Sequence, residues 1–321
     1  MPNVTIVGSF NIDHVWRCET LPAAGATIAG QYATGPGGKG FNQAIAAARA
    51  GAATRFVCAL GTDAGGALAM SLGKADGLDM RAQATEVPTG TAGIYVDARG
   101  RNSIVIGAGA NAQLSEAFVQ AQCAELGHGD VLLAQLESPL EAVLAALRRA
   151  RQQGALTLLN TAPANAPTSA ELLSLADVLT PNETEFAALL ARHVGERLQP
   201  EEIGEVDGNR LHHLCRELHH GSVVVTLGSL GVFVSHAEDT LRGDGKSFYR
   251  LSAEAVEAID STGAGDAFNG ALAASLASAA GQGVFADHVR FGNRFAALST
   301  EREGAALAMP TREQVLARFA D

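Results

Sequence analysis

Short apolar runs that end in polar residues and lead into helical patterns dominate the chain. Residues 4–7 form such a run, ending at Gly8-Ser9, and predict a buried parallel strand whose carboxyl end delivers Phe10-Asn11-Ile12-Asp13. From Ala108 onward the unit recurs. Residues 131–136 end at Glu137, 156–159 at Asn160, 176–179 at Thr180-Pro181-Asn182-Glu183-Thr184-Glu185, 223–225 at Thr226-Leu227-Gly228-Ser229, and 256–259 at Asp260. Most lead into helical spacing, as in 140–153 with Leu140, Val143, Leu144 and Leu147 along one face. The repetition predicts an α/β fold, a doubly wound and mainly parallel sheet flanked by helices. Ligands of such sheets bind where the strands end, which is where these polar residues fall.

Two segments break the pattern. In 14–34, Val15-Trp16-Arg17 and 27–32 read as half-buried strands with no helix between them, and 89–106 reads as a hairpin around Asp97-Ala98-Arg99-Gly100. Together they predict a small β-sheet lid, formed by about 13–35 and 89–107, over the site. The exposed face of such a sheet suits pairing with a second copy of the chain, so a homodimer through the lid is expected.

Composition narrows the partners. With 321 residues and 47% hydrophobic content the chain can bury a full core, and no linker or repeat interrupts it, so 1–321 is expected to be a single catalytic domain. The net charge of −11 argues against nucleic acid or an anionic membrane as partner. An anionic nucleotide would need backbone donors, single cations and metal. Cys18, Cys58, Cys123 and Cys215 show no metal or disulfide spacing. With neither a basic leader nor an apolar stretch of membrane-spanning length, a soluble cytoplasmic protein is expected. His212, Cys215 and His219 fall at helical spacing, and they read as a partly solvated helix face because no second element completes a metal shell.

The candidate chemistry centres on Asp260-Ser261-Thr262-Gly263-Ala264-Gly265-Asp266, placed between the predicted strand 256–259 and a helix starting near Ala267. Gly263 and Gly265 let the backbone approach a ligand, and the free amides of the helix start attract an anion. Asp266 is out of place in a passive anion cradle but suits proton removal from a hydroxyl nucleophile. A helix-capping turn is the competing reading. Asn11 and Asp13, presented on one side of a strand end, suit paired hydroxyls, with an Asx turn as competitor. The stretch 35–40 satisfies G-x-G-x-x-G, with Asp63 in place for a ribose-binding acid, yet it follows the lid rather than a core strand. Gly40 after Lys39 excludes a Walker loop. What remains is a floor for a polar uncharged ligand, with Lys39 as its cation and Asn42 opening a helix over 43–50.

Gly8-Ser9-Phe10-Asn11-Ile12-Asp13, Gly37-Gly38-Lys39-Gly40-Phe41-Asn42-Gln43, Thr180-Pro181-Asn182-Glu183-Thr184-Glu185 and the stretch from Asp260 through Asp266 to Gly270 resemble, in this order, the ribokinase branch of the PfkB carbohydrate kinase family. The resemblance spans essentially the full length and implies ATP-dependent phosphorylation of the primary hydroxyl of D-ribose, giving D-ribose 5-phosphate. It implies a sugar site lined by Asn11, Asp13, Gly38, Lys39, Asn42 and Glu137, with Ala92 and Ile106 closing it from the lid. Asp266 would be the base, and the amides of Gly263, Ala264 and Gly265 would hold the transferring phosphoryl group. Asn182 and Glu185 would reach the phosphates and, through water, Mg²⁺; Thr226, Gly228 and Asn293 would contact the nucleotide. Asp260, Thr262, Ser299 and Gly304 would hold a monovalent cation, usually K⁺. Ala308 and Leu230 depart from the pattern: the first removes a hydroxyl from the cation site and the second a basic residue from the loop after Gly228. Other members of the family act on deoxy sugars, keto-deoxygluconate, fructose or nucleosides, and a non-catalytic binder keeping the fold is the alternative from another class.

Overall fold

The computed structural model describes residues 3–320, so positions 1, 2 and 321 of the predicted span lie outside the described residues. Along the chain come β1 (Asn3–Val7), β2 (Asn11–Arg17), β3 (Gln31–Gly37), α1 (Lys39–Arg49), β4 (Ala53–Gly61), α2 (Ala64–Ala75), β5 (Asp79–Thr85), β6 (Gly90–Val96) and β7 (Asn102–Gly107). Then follow α3 (Glu116–Gln122), β8 (Val131–Ala134), α4 (Leu140–Gln152), β9 (Leu156–Leu159), α5 (Ala170–Ser174), β10 (Val178–Leu179), α6 (Glu183–Leu189), α7 (Pro200–Ile203) and α8 (Gly208–Leu218). β11 (Ser222–Thr226), β12 (Val232–Ser235), β13 (Phe248–Leu251), α9 (Ala264–Ser278), α10 (Phe285–Ser299) and α11 (Arg312–Arg318) complete it.

Nine strands form one sheet in the order β13-β12-β11-β10-β9-β8-β1-β4-β5, parallel except at β12 and β13. The inner strands are mostly apolar because helices cover both faces; Val4, Ile6, Val7, Leu132, Leu133 and Val224 are wholly buried. The order turns between β1 and β8, so the crevice lies beyond the ends of these two strands. β2, β3, β6 and β7 leave the main sheet for a second one, ordered β3-β2-β6-β7, in the segments where helical spacing was missing. Asn11 is the root of this lid, paired with Gly37 on one side and Gly90 on the other.

A close contact between α1 and α9 shapes the floor. Both are rich in small residues; a Cβ on Gly270 would come within 2.4 Å of the Gln43 carbonyl oxygen and 2.6 Å of the Ala46 methyl. This approach brings Asn42 and Gln43 of α1 beside Asp266 of α9.

Several expectations give way. Residues 27–30 are not a strand, and β3 begins only at Gln31. α1 starts at Lys39 rather than 43, because Gly38 turns with φ 87° and the amides of Phe41 and Asn42 already bond back to Ser9 and Gly38. Residues 256–259 are not a strand: Ile259 is 67% exposed, and the amides of Ile259 and Asp260 both donate to the Thr300 carbonyl. The antiparallel strands β12 and β13 finish the sheet instead. Asp63 is no ribose acid, since it caps α2 through Gly66 and holds Thr89 at the foot of the lid. His219 lies just past α8 in extended backbone, and no group of three or more potential metal ligands occurs among the described residues.

Candidate active site

The site is assembled from strand ends and the first turns of two helices. Gly38 adopts a left-handed conformation and lies so close to Phe10 and Asn11 that a side chain there would meet their backbone at 2.9 Å. It thereby directs α1, with Lys39 and Asn42 in its opening turns, over the end of β1. Ser9 Oγ donates to Glu137 Oε2 at 2.6 Å, and the Lys39 amide donates to the same oxygen at 3.0 Å. Asn111 brackets Phe10, accepting from its amide and donating to its carbonyl, and also donates to Asn11 Oδ1 at 2.9 Å. Sequence pattern alone does not mark Asn111 as functional; its position at the end of the glycine-rich stretch Gly107-Ala108-Gly109-Ala110-Asn111 after the lid is the available signal.

Asp266, in the first turn of α9, is 6% exposed. Asn42 Nδ2 donates to its Oδ2 at 2.9 Å and Gln43 Nε2 to its Oδ1 at 2.8 Å. Burial pushes its carboxyl up, and Lys39 with these two amides opposes the push without cancelling it. Asp13 is raised to about 6, first by burial and then by Glu137 and Asp266. Burial works against the Lys39 charge, but Asp266, Glu137 and Glu185 outweigh it and raise its pKa. Asn42 Oδ1 is buried with no hydrogen-bond partner, an acceptor left for a ligand hydroxyl. From the lid, Ala92 is buried opposite Asp13, and Ile106, paired with Ala92, is 52% exposed.

A cleft of 150 Å³ opens from Asp266 toward Lys39, Asn182, Glu185, Thr226, Gly263 and Gly265. Asn182 caps α6 and forms a reciprocal capping box with Glu185, whose amide bonds Asn182 Oδ1 at 2.8 Å while its carboxylate takes the Asn182 amide at 2.9 Å. Burial raises the Glu185 pKa against that bond and Lys39. A backbone bridge sets Asn182 beside Thr226, and Gly228 follows with φ 52°. Gly263 caps α9 with φ 77°, tight against Ala305. Of the three nominated amides, that of Ala264 donates to the Ser261 carbonyl at 3.1 Å, whereas those of Gly263 and Gly265 make no such bond among the described residues. Asn293 of α10 donates to the Ser252 carbonyl at 2.7 Å. Asp260 accepts from Thr262 at 2.9 Å and Gly304 at 3.0 Å; burial opposes these bonds, which still hold its pKa low. Ser299 Oγ donates to the Ala296 carbonyl, and Ala308 places a buried methyl nearby in the chain, without a side-chain oxygen.

Residues 1–312 match the pfkB family of carbohydrate kinases. The chain belongs to that family. A pfkB carbohydrate kinase transfers phosphate to an alcohol group, which agrees with a buried carboxylate facing free helix-start amides. The ribokinase of Haemophilus influenzae is 38% identical over 316 residues, covering 98% of this chain and 97% of its own. Among solved structures, the ribokinase of Thermotoga maritima matches with a TM-score of 0.85 at 31% identity, over 100% of both chains. The Arabidopsis thaliana ribokinase, solved with ribose and ATP, matches with a TM-score of 0.82 at 29% identity, over 100% of this chain and 99% of its own. Within the pfkB frame, the predicted sugar residues Asn11, Asp13, Gly38, Lys39, Asn42 and Glu137 come together at one end of the crevice. Asn182, Glu185, Thr226, Gly263 and Gly265 line the cleft on the other side, with Lys39 and Asp266 shared between the two.

Proposed function

We propose that this chain phosphorylates the primary hydroxyl of D-ribose with ATP, giving D-ribose 5-phosphate and ADP. The observation that carries the reading is Asp266, buried and braced on both carboxylate oxygens, between an unpartnered Asn42 oxygen on one side and the free amides of Gly263 and Gly265 on the other. The similarity to ribokinases, one of them solved with ribose and ATP, supports ribose as acceptor.

In this reading Asn11, Asp13, Asn42 and Glu137 take the sugar hydroxyls, Gly38 keeps the backbone clear of them, and Ala92 and Ile106 close over the ring. Transfer forms a bond between the sugar oxygen and the γ-phosphorus and breaks the bond from that phosphorus to the β,γ-bridging oxygen. The hydroxyl proton passes to Asp266, and ADP departs with the electron pair of the broken bond. Gly263 and Gly265 donate to the transferring oxygens as charge develops, with Lys39 beside them; Ala264 joins by releasing Ser261. Asn182, Thr226, Gly228 and Asn293 position the nucleotide.

Asp266, Glu137 and Glu185 already act on Lys39 before any triphosphate arrives, so that lysine alone leaves the phosphates short of positive charge. Glu185 with Asn182 would hold Mg²⁺ through water, and the ion would neutralise phosphate charge. Asp260, Thr262, Ser299 and Gly304 would hold a monovalent cation behind the turn, with Ala308 leaving one oxygen to be supplied by water, so potassium activation is expected to be weakened or altered rather than lost. Tyr32, Ile104, Val105 and Ile106, 49–67% exposed on the lid, support a homodimer through that sheet. The protein works in the cytoplasm.

The test is ADP formation from Mg-ATP, with and without K⁺, across D-ribose, 2-deoxyribose, fructose, 2-keto-3-deoxygluconate and adenosine, for wild type and Asp266→Asn. Ribose is expected to turn over fastest. The variant should lose roughly 10³-fold or more in kcat while still binding ribose. A faster second substrate would replace ribose, and full activity in the variant would remove Asp266 as the base.

A further inference from the structure

Behind Asp266 runs a chain of buried amides that no step above employs. Gln43 is 0% exposed, Gln135 1% and Asn160 6%. Gln135 Nε2 donates to Gln43 Oε1 at 2.6 Å. With its oxygen so engaged, the amide of Gln43 turns its nitrogen the other way, donating to Asp266 Oδ1 at 2.8 Å and to Asn160 Oδ1 at 3.0 Å. Asn160 Nδ2 donates onward to the Thr180 carbonyl at 2.9 Å. Both N–H groups of Gln43 and its oxygen are therefore spent inside the protein, leaving nothing for sugar or nucleotide.

We propose that Gln43, braced by Gln135, is a positioning residue for phosphoryl transfer: it holds Asp266 as an ionised carboxylate in a single orientation. This rests on the reading of Asp266 as the base. A carboxylate out of water is a poor anion unless donors replace the lost hydration, and a base whose plane can rotate loses alignment with the hydroxyl. Gln43 meets both needs at Oδ1, while Asn42, whose own side-chain oxygen is buried without a partner, meets them at Oδ2. The brace is stiff because Gln135 is packed against the Gly8 backbone: a Cβ on Gly8 would lie 2.2 Å from Gln135 Oε1. The close α1–α9 packing at Gly270 fixes the distance between Gln43 and Asp266. A glutamate at 43 would repel the base, and an apolar residue would leave Oδ1 dry.

The measurement is the pH dependence of the single-turnover rate with ribose and Mg-ATP. In Gln43→Met the rate should fall about 10–100-fold, with KM for ribose and ATP within about twofold, and the acidic limb should move up by about one pH unit. Gln135→Met keeps the donor but frees its orientation, so the same limb should move the same way by less. A rate loss with the limb unmoved in both variants would reduce Gln43 to a packing residue, and a raised KM would make it a binding residue; either overturns the proposal. If Gln43→Met does not fold, Gln135→Met decides alone. Full activity in Asp266→Asn would fail the base assignment itself, whereas an inactive Asp266→Asn with unmoved limbs would fail only the role of Gln43.

Discussion

The two ends of the crevice are built by different means. At the end proposed for the sugar, side chains from distant segments bond to one another: Ser9 to Glu137, Asn111 to Asn11, Asn42 and Gln43 to Asp266. At the end proposed for the nucleotide, backbone partners set the geometry: the bridge from Asn182 to Thr226 and Asn293 on the Ser252 carbonyl. Leu230, in the loop after Gly228, is 50% exposed. The difference follows from the ligands proposed for each. A small neutral sugar is discriminated by fixed donors and acceptors, each costly to leave unpaired, whereas a triphosphate brings charge that backbone amides and ions can meet.

Glu137→Gln would break the sugar end hardest. Ser9 and the Lys39 amide would lose their anionic acceptor, and kcat/KM for ribose should fall about 10–100-fold with KM for ATP unchanged, read from steady-state kinetics in both substrates. An equal rise in KM for ATP would show that the two ends are not separable.

Asp13 sharpens the comparison through pH. Its carboxyl is raised to about 6, so ribose binding measured by calorimetry without ATP should weaken about tenfold for each unit below that value, and the dependence should vanish in Asp13→Asn. Stability runs the other way. The folded state holds this proton between the ordinary value of 3.8 and about 6, so the contribution of Asp13 to stability is full below 3.8 and is lost as pH rises through 6. Asp13→Asn should accordingly melt higher than wild type above pH 6 in the absence of sugar. A lower melting temperature there would contradict burial as the cause.

The smallest effect belongs to the nucleotide end. Asn293→Ala removes one bond to a backbone carbonyl, and KM for ATP should rise about fivefold, roughly 1 kcal/mol, with KM for ribose unmoved. A change in ribose KM instead would place α10 in the sugar end.

Much of the site was legible before the fold because its residues sit where a run of apolar positions stops. Asn11, Asp13, Glu137, Asn182 and Thr226 all follow such runs, and a parallel sheet brings strand ends to one edge whatever the details of packing. The lid was legible for the opposite reason: 14–34 and 89–106 lack helical spacing. Local chemistry misled at 256–259, where an apolar tetrapeptide reads as a strand. The amide of Ile259, with that of Asp260 after it, instead finds its partner in the Thr300 carbonyl at the end of α10, and the sheet ends on β12 and β13.

What the sequence by itself determined is therefore the kind of fold, the presence of a lid, the glycine turn before Asp266 and the acid itself, since these depend on local periodicity and on backbone freedom at single positions. Only the tertiary structure decided that Asn111 holds Asn11, that Asp63 caps a helix, and that Gln43 rather than a second acid supports Asp266. Those pairings join residues 3 to 223 positions apart, and for the distant ones no local preference selects the partner; that of Gln43 with Asp266 is set by how closely α1 and α9 pack, and that closeness rests on small residues whose neighbours the chain order does not reveal.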